Sequence, residues 1–176
     1  MHFHAHSTVL DTVSVNGFGG LLVGTVGNYT ASTSQHQYVH VLDDAATFNV
    51  ILLAAYELSP QPYSPDLSTL LNATNAGLGR YGLLPSHTVA PGAPLAAVLL
   101  THAQRGPNIA LDIYTLAAQH DATHLAVSVS NYMHGLDLST ISDDRADQLG
   151  EFLVTSSDFV GRDPIARIED APVAIG

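Results

Sequence analysis

The chain contains no cysteine and no lysine, and only 12% of its 176 residues are charged. Without cysteine there is no disulfide, no thiolate-bound metal and no cysteine nucleophile. Basic clusters are also missing, because the five cations are arginines spread along the chain. The formal net charge is −11. We therefore expect no direct binding to nucleic acid or to an anionic membrane, since both are bound through clustered Lys and Arg.

Long apolar runs are missing as well. No run approaches the roughly 18 uninterrupted residues of a membrane-spanning helix, and residues 1–11 lack the basic and apolar regions of a secretory signal peptide. We therefore expect neither a membrane location nor Sec-dependent secretion, and favour a virion or the cytoplasm. The composition, 46% hydrophobic, is that of a globular protein. It predicts a single domain over residues 1–155, followed by an extended C-terminal tail or arm over residues 156–176.

The hydrophobic pattern predicts an α+β fold that begins with strands. Polar and apolar residues alternate over residues 7–15, and Asn16-Gly17 follows, the strongest short-range signal for an antiparallel hairpin. The glycine-rich residues 18–26 would form the return strand. Residues 36–42 alternate again and predict a third strand. Near residues 124–130, Leu125, Val127 and Val129 alternate with small or polar residues, which predicts one further strand.

Four or five helices are predicted between and after these strands. Asp43 or Asp44 would cap the first, and Ser64, followed by proline, would cap the second, which ends near Gly77 or Gly79. A third runs from Pro94 to the Arg-Gly-Pro at residues 105–107. Residues 109–120 favour a helix, although a strand also fits them. A last helix, capped by Thr140 with Asp143 or by Ser142 alone, is predicted to run to about Val154.

The most recognisable chemistry lies at His120-Asp121-Ala122-Thr123-His124. The spacing resembles the H-E-x-x-H pattern of zinc hydrolases, with Asp in place of Glu. The resemblance implies that His120 and His124 bind zinc from one face of a helix and that Asp121 acts as the catalytic base. A third ligand would come from His134 or Asp137. The match covers five residues, and its Asp is one methylene shorter than the Glu of the pattern.

Two functions from different classes follow. The leading prediction is a structural subunit of a larger assembly, such as a virus or phage particle or another protein shell or tube. Its motives are the low charge, the absence of lysine and an apolar C-terminal tail, because the cores of protein interfaces are depleted in charge. Its partners would be other protein subunits, in a homo-oligomer without a cofactor. The alternative is a small zinc-dependent hydrolase that uses His120, His124 and Asp121. An acidic inhibitor-type binding module is a third reading of the charge.

Overall fold

The structure, a computed structural model, describes residues 2–22 and 40–136. Within these ranges the chain is mostly helical. In chain order the α-helices are α1 (Ser7–Val13), α2 (Ala45–Ala55), α3 (Leu67–Asn75), α4 (Pro85–Thr88), α5 (Pro94–Ala103), α6 (Pro107–Gln119) and α7 (Thr123–Ser130). Helices α2, α3, α5 and α6 form the body of the fold, α1 lies in the N-terminal segment, and α4 and α7 are shorter.

Helix starts follow local signals in the sequence. The Asp44 carboxylate accepts hydrogen bonds from the amides of Ala46 and Thr47, both at 2.9 Å, and so caps α2. The Asp66 carboxylate caps α3 through the Thr69 amide at 2.7 Å. Helices α4, α5 and α6 each begin with proline, whose missing N–H is not needed in the first turn. None of the described helices combines the length and apolar character that a membrane crossing requires.

The helices pack into one apolar core. Helix α6 packs against α5 and α7, α2 packs against α3 and α4, and α3 also contacts α5 and α6, so that it joins the two groups. The largest apolar side chains with almost no exposed surface are Phe18, Val50, Ile51, Leu70, Leu95, Leu99, Leu111, Ile113, Leu125 and Val129. Burying each of them contributes about 1.5–3 kcal/mol before the cost of ordering the chain.

A π-helical turn over Ala76–Arg80 extends α3. The Tyr81 amide donates to the carbonyl of Ala76, five residues earlier, at 2.9 Å, and the Leu83 amide donates to the carbonyl of Gly77 at 2.8 Å. π-helical turns are rare in proteins, and those that do occur are often found at functional sites. Here the turn ends the helix and leads the chain into residues 80–84, which face the N-terminal segment.

The predicted N-terminal hairpin is wrong. Residues 7–13 form α1, because Leu10 and Val13, three apart, are its buried side chains, whereas Val15 is exposed. Asn16-Gly17 does begin a turn, but four consecutive residues from Gly17 to Gly20 have positive φ, so residues 18–22 coil instead of returning as a strand. The third strand is not formed at residues 40–42. Residues 23–26 and 36–39 of these predicted strands lie outside the described residues.

The strand predicted near residues 124–130 is also wrong, since these residues belong to α7. Leu125 and Val129, four apart, are buried, while Val127 between them is 62% exposed. A strand would place all three on the same face, whereas a helix separates Val127 from the other two. The predicted α+β class is therefore corrected to a mostly helical one for residues 2–22 and 40–136.

Other predictions concern helix bounds and domain limits. The helix favoured over 109–120 is confirmed by α6, as is the Asp44 cap, whereas Ser64 has a φ of 45° and lies before the true cap of α3. The predicted four or five helices are too few, because α1 and α7 read as strands and α4 lies in a predicted loop. The last predicted helix, the domain limit at 155 and the tail at 156–176 fall outside the described residues.

Candidate functional site

A polar groove of about 350 Å³ lies where the N-terminus of α2 meets the C-terminus of α3 and the π-helical turn. Its walls come from two neighbouring helices and carry carboxylates, amides and one guanidinium. The lining residues are Asp43, Asp44, Thr47, Asn72, Asn75, Ala76, Gly79 and Arg80.

Asp43 links the start of α2 to the end of the π-helical turn. Nη1 of Arg80 donates to both Asp43 carboxylate oxygens at 2.8 Å, and the Tyr81 hydroxyl donates to one of them at 2.5 Å. The Asp43 side chain is 12% exposed and that of Arg80 is 52% exposed. This pairing raises the pKa of Arg80 above its ordinary value. Burial, together with the bond to Asp43, raises the pKa of Tyr81 to about 12, so Tyr81 stays a neutral donor near pH 7.

Asp44 is engaged in capping. Besides the two backbone amides, its carboxylate accepts a hydrogen bond from the Thr47 hydroxyl at 2.7 Å. The bonds from the Thr47 hydroxyl and amide hold the pKa of Asp44 below its ordinary value. Both groove carboxylates already accept hydrogen bonds from within the chain. The groove offers fixed polar groups, but no carboxylate left without a donor to serve as a general base.

His120 is linked to the groove by a hydrogen bond to Asn75, one of the lining residues. Its Nε2 lies 2.8 Å from Oδ1 of Asn75, so a neutral ring protonated at Nε2 donates to the amide oxygen. Burial lowers the pKa of His120 below its ordinary value, with a smaller opposing effect from Asp121. The ring packs against Gly79, where a Cβ would lie 3.2 Å from Cε1. Gly79 thus leaves room for the imidazole between α3 and α6.

The residues of the predicted zinc site do not share one helix. His120 caps the C-terminus of α6, Asp121 has a φ of 52°, and His124 lies in the first turn of α7, so the chain turns between the two histidines. His120 is half-buried and bonded to Asn75, whereas His124 is exposed. Because of this turn, the two imidazoles do not share one face of a single helix, as the zinc-site prediction requires. The roles of His120 and His124 as ligands and of Asp121 as base stay predictions.

The third zinc ligand is likewise not located. His134 is exposed and lies beyond the end of α7, and Asp137 lies outside the described residues. Among residues 2–22 and 40–136, no group of three or more His, Asp or Glu side chains is arranged to hold a metal ion. The structure therefore assembles no ligand set around His120 in the part of the chain that it describes.

The groove was not predicted from the sequence. Asp43 and Arg80 are 37 residues apart, and Asn75 and His120 are 45 residues apart. Neither pair has a spacing that local periodicity could detect. The sequence did identify Asp43 and Asp44 as helix-start residues, which is the one signal that points toward this place. Comparison of the chain with protein-family models, with curated proteins and with solved structures found no match.

Proposed function

We propose that the chain is a structural subunit that acts through protein–protein contacts, in a homo-oligomeric shell, tube or particle such as that of a virus or phage. The observation that carries the proposal is the scarcity of charge on the described helical surface. Residues 2–22 and 40–136 contain nine charged side chains, which are Asp11, Asp43, Asp44, Glu57, Asp66, Arg80, Arg105, Asp112 and Asp121. The cores of protein interfaces are depleted in charged residues in the same way.

Large apolar side chains at the surface support the same reading. Leu42, Val15, Tyr63 and Val127 are 84%, 74%, 65% and 62% exposed, and Leu58 is also exposed. Single exposed apolar residues are ordinary. Their weight comes from the low charge of the described residues, because little charge has to be desolvated when this surface is buried against another protein.

The face of α7 around Val127 illustrates this setting. Thr123, His124 and Ser130 are exposed on the same helix, and no residue of α7 is an acid, an arginine or a lysine. Covering such a face removes apolar area from water and requires little desolvation of charge. The surface is thus suited to a subunit contact.

The internal polar clusters fit a structural role. Asp43 joins α2 to the π-helical turn through Arg80 and Tyr81, and Asn75 joins α3 to the end of α6 through His120. These side chains contact one another across helices. They fix the relative positions of the helices, as a subunit that presents a defined surface requires.

Native mass spectrometry of untagged protein, over a wide range of concentration and without chelator, tests the proposal. We expect an oligomer of defined size and a thermal midpoint that rises with protein concentration, because association stabilises only the folded chain. A monodisperse monomer at every concentration would overturn the proposal. The same spectrum detects bound zinc, and a small species that carries one zinc ion would instead favour the hydrolase prediction.

Single aspartate substitutions locate the contact. Val15→Asp, Leu42→Asp, Tyr63→Asp and Val127→Asp each place a carboxylate at an exposed apolar position. At least one of them is expected to shift the protein toward monomer while leaving its helical circular dichroism unchanged. Thr101→Asp, on the exposed part of α5, is the matched control for added charge alone. Full assembly in all four variants would count against these positions as contacts.

A further inference from the structure

Asn16 fastens the N-terminal segment to residues 80–84. Its side-chain Nδ2 donates to the carbonyl of Arg80 at 3.0 Å, and its Oδ1 accepts from the Gly19 amide at 2.7 Å. The side-chain amide thus bonds both to its own turn and to a segment 64 residues away. The same residue belongs to the sole Asn-Gly pair of the chain.

Gly82 lies directly against the side-chain amide of Asn16. A Cβ at Gly82 would lie 2.6 Å from both Cγ and Oδ1 of Asn16, and Gly82 has a φ of 60°. The close approach is therefore possible only without a side chain at residue 82. Beside it, the Val15 amide donates to the Gly82 carbonyl and the Leu84 amide donates to the Val13 carbonyl, both at 2.9 Å. The Asn16 amide is enclosed between two segments that are also bonded through their backbones.

We propose that Asn16 is a spontaneous deamidation site that the fold keeps unreactive, and that its conversion releases the N-terminal segment from residues 80–84. In the reaction, the backbone nitrogen of Gly17 loses its proton and attacks Cγ of Asn16, and the new C–N bond closes a succinimide ring. The Cγ–Nδ2 bond breaks, and Nδ2 takes up a proton and leaves as ammonia. Water then opens the ring to aspartate or isoaspartate. Asn-Gly is favourable for this chemistry because glycine has no side chain to hinder the attacking nitrogen.

The hydrogen bonds oppose this reaction in the folded chain. Nδ2 of Asn16 is bonded to the Arg80 carbonyl and Oδ1 to the Gly19 amide, so any rotation of the side chain that brings Cγ toward the Gly17 nitrogen breaks both bonds. The Gly17 backbone is itself held at a φ of 61° within the coil of residues 17–20. Deamidation therefore proceeds through opening of the N-terminal turn, and its rate reports how often that turn opens.

The product cannot restore the native contacts. Aspartate at residue 16 replaces the Nδ2 donor by a carboxylate oxygen, which would face the Arg80 carbonyl oxygen where a hydrogen bond had been. Two acceptors at such a distance repel each other, and the Arg80 carbonyl loses a donor. Isoaspartate additionally lengthens the backbone inside the turn. Either product favours release of residues 14–22.

The first experiment compares deamidation of the full chain in native buffer and in urea at the same mildly alkaline pH, with peptide mass spectrometry of the Asn16 peptide. We expect conversion to be at least about tenfold slower in the folded protein, as for a site that reacts only on local opening. Equal rates in the two conditions would overturn the proposal.

Gly82→Ala separates protection by the fold from the chemistry of the dipeptide. The new Cβ displaces the Asn16 amide and leaves the Asn-Gly pair intact, so native-state deamidation is expected to accelerate toward the rate in urea. Circular dichroism confirms that the helices are kept. If the helices are kept and the rate does not rise, enclosure by Gly82 is not what protects Asn16, and the proposal fails.

Asn16→Asp tests release of the segment without relying on the reaction. We expect faster hydrogen exchange at the amides of Val15 and Leu84, which link the two segments, and unchanged exchange at Ile113 in the core of α6. Asn131→Asp is the matched control, because the Asn131 side chain is exposed and makes one long bond to the Ser128 carbonyl. Unchanged exchange at Val15 and Leu84 in Asn16→Asp would contradict release.

Discussion

Gly79 and His120 are in contact at the point where the end of α3 meets the end of α6, and the glycine leaves the space that the imidazole occupies. The ring then donates to Asn75, which belongs to the same end of α3. His120, which the sequence pattern predicts as a zinc ligand, thus takes part in a hydrogen-bonded contact between helices.

His120→Ala is expected to lower the free energy of unfolding by about 0.5–1.5 kcal/mol, the usual net value of one hydrogen bond. Urea denaturation measures the change. His124→Ala, at an exposed position, is the matched control and should stay within about 0.5 kcal/mol of the parent. Gly79→Ala should be better tolerated in the His120→Ala background than alone, because the ring that crowds the new methyl is gone. Strict additivity of the two substitutions would contradict the contact.

The stability of the fold should fall as pH drops below about 6.5, the ordinary histidine pKa. Burial lowers the pKa of both His120 and His102, and Arg105 adds to the effect at His102. The unfolded chain therefore binds protons at a higher pH than the folded chain, and stability declines until pH passes below the folded-state values. Urea midpoints measured from pH 7.5 to 5 test this. The decline should be shallower in His102→Gln and in His120→Gln.

A separate acid transition is expected near pH 4 and below. Hydrogen bonds from Thr47 lower the pKa of Asp44, and hydrogen bonds from Thr69 lower that of Asp66. Their contribution is present above the ordinary pKa of about 3.9 and is lost as pH falls through the depressed folded-state values. Asp44→Asn keeps a capping oxygen but does not titrate. Its urea midpoint should depend less on pH below 4 than that of the parent.

Tyr81→Phe should lower the free energy of unfolding by about 1–2 kcal/mol, because the hydrogen bond from the Tyr81 hydroxyl to the Asp43 carboxylate is lost. It should also change the alkaline behaviour. Since the pKa of Tyr81 is raised to about 12, the folded chain keeps a proton that the unfolded chain loses near pH 10. Stability should therefore fall between pH 10 and 12. This loss should be smaller in Tyr81→Phe, as measured by urea midpoints across that range.

The assignment of α7 as a helix can be tested by two neighbouring substitutions. Leu125→Ala is expected to cost about 2–4 kcal/mol, because it removes a fully buried side chain. Val127→Ala, at an exposed position two residues away, should change stability by no more than about 0.5 kcal/mol. A strand with one buried face would make both substitutions costly. Similar large losses of stability in both variants would therefore indicate a strand at these residues and contradict the helix.

The sequence predicted the long helices and missed the short ones for a physical reason. Apolar residues at helical spacing over a dozen positions favoured α6, although a strand also fitted them, and a capping aspartate marked α2. Each of α1 and α7 buries only two side chains. In a segment of eight or fewer residues that is rich in Val, Thr and Ser, the apolar positions fit both the two-residue period of a strand and the spacing of a helix. Tertiary packing decides between them, and local pattern does not contain that information.

The groove and the Asn16 contacts were hidden for a different reason. Each joins residues that are distant in sequence, such as Asp43 with Arg80, and a single sequence contains no record of such pairing. Asn16-Gly17 was recognised as a turn signal. The contact of Asn16 with residues 80–84 depends on Gly82, because a side chain there would collide with the Asn16 amide. This requirement can be seen only when the N-terminal segment and residues 80–84 are placed side by side.

The link between the N-terminal segment and residues 80–84 sets an order for folding during synthesis. The Ser14 hydroxyl bonds to the Tyr81 carbonyl across 67 residues, and the buried Phe18 ring packs on Tyr81 and Phe48. At about 5–20 residues per second, a ribosome needs roughly 3–13 s to make that intervening chain. During that interval residues 14–22 have been made but Tyr81 has not. A chaperone can therefore bind Phe18 before Tyr81 is available to pack against it.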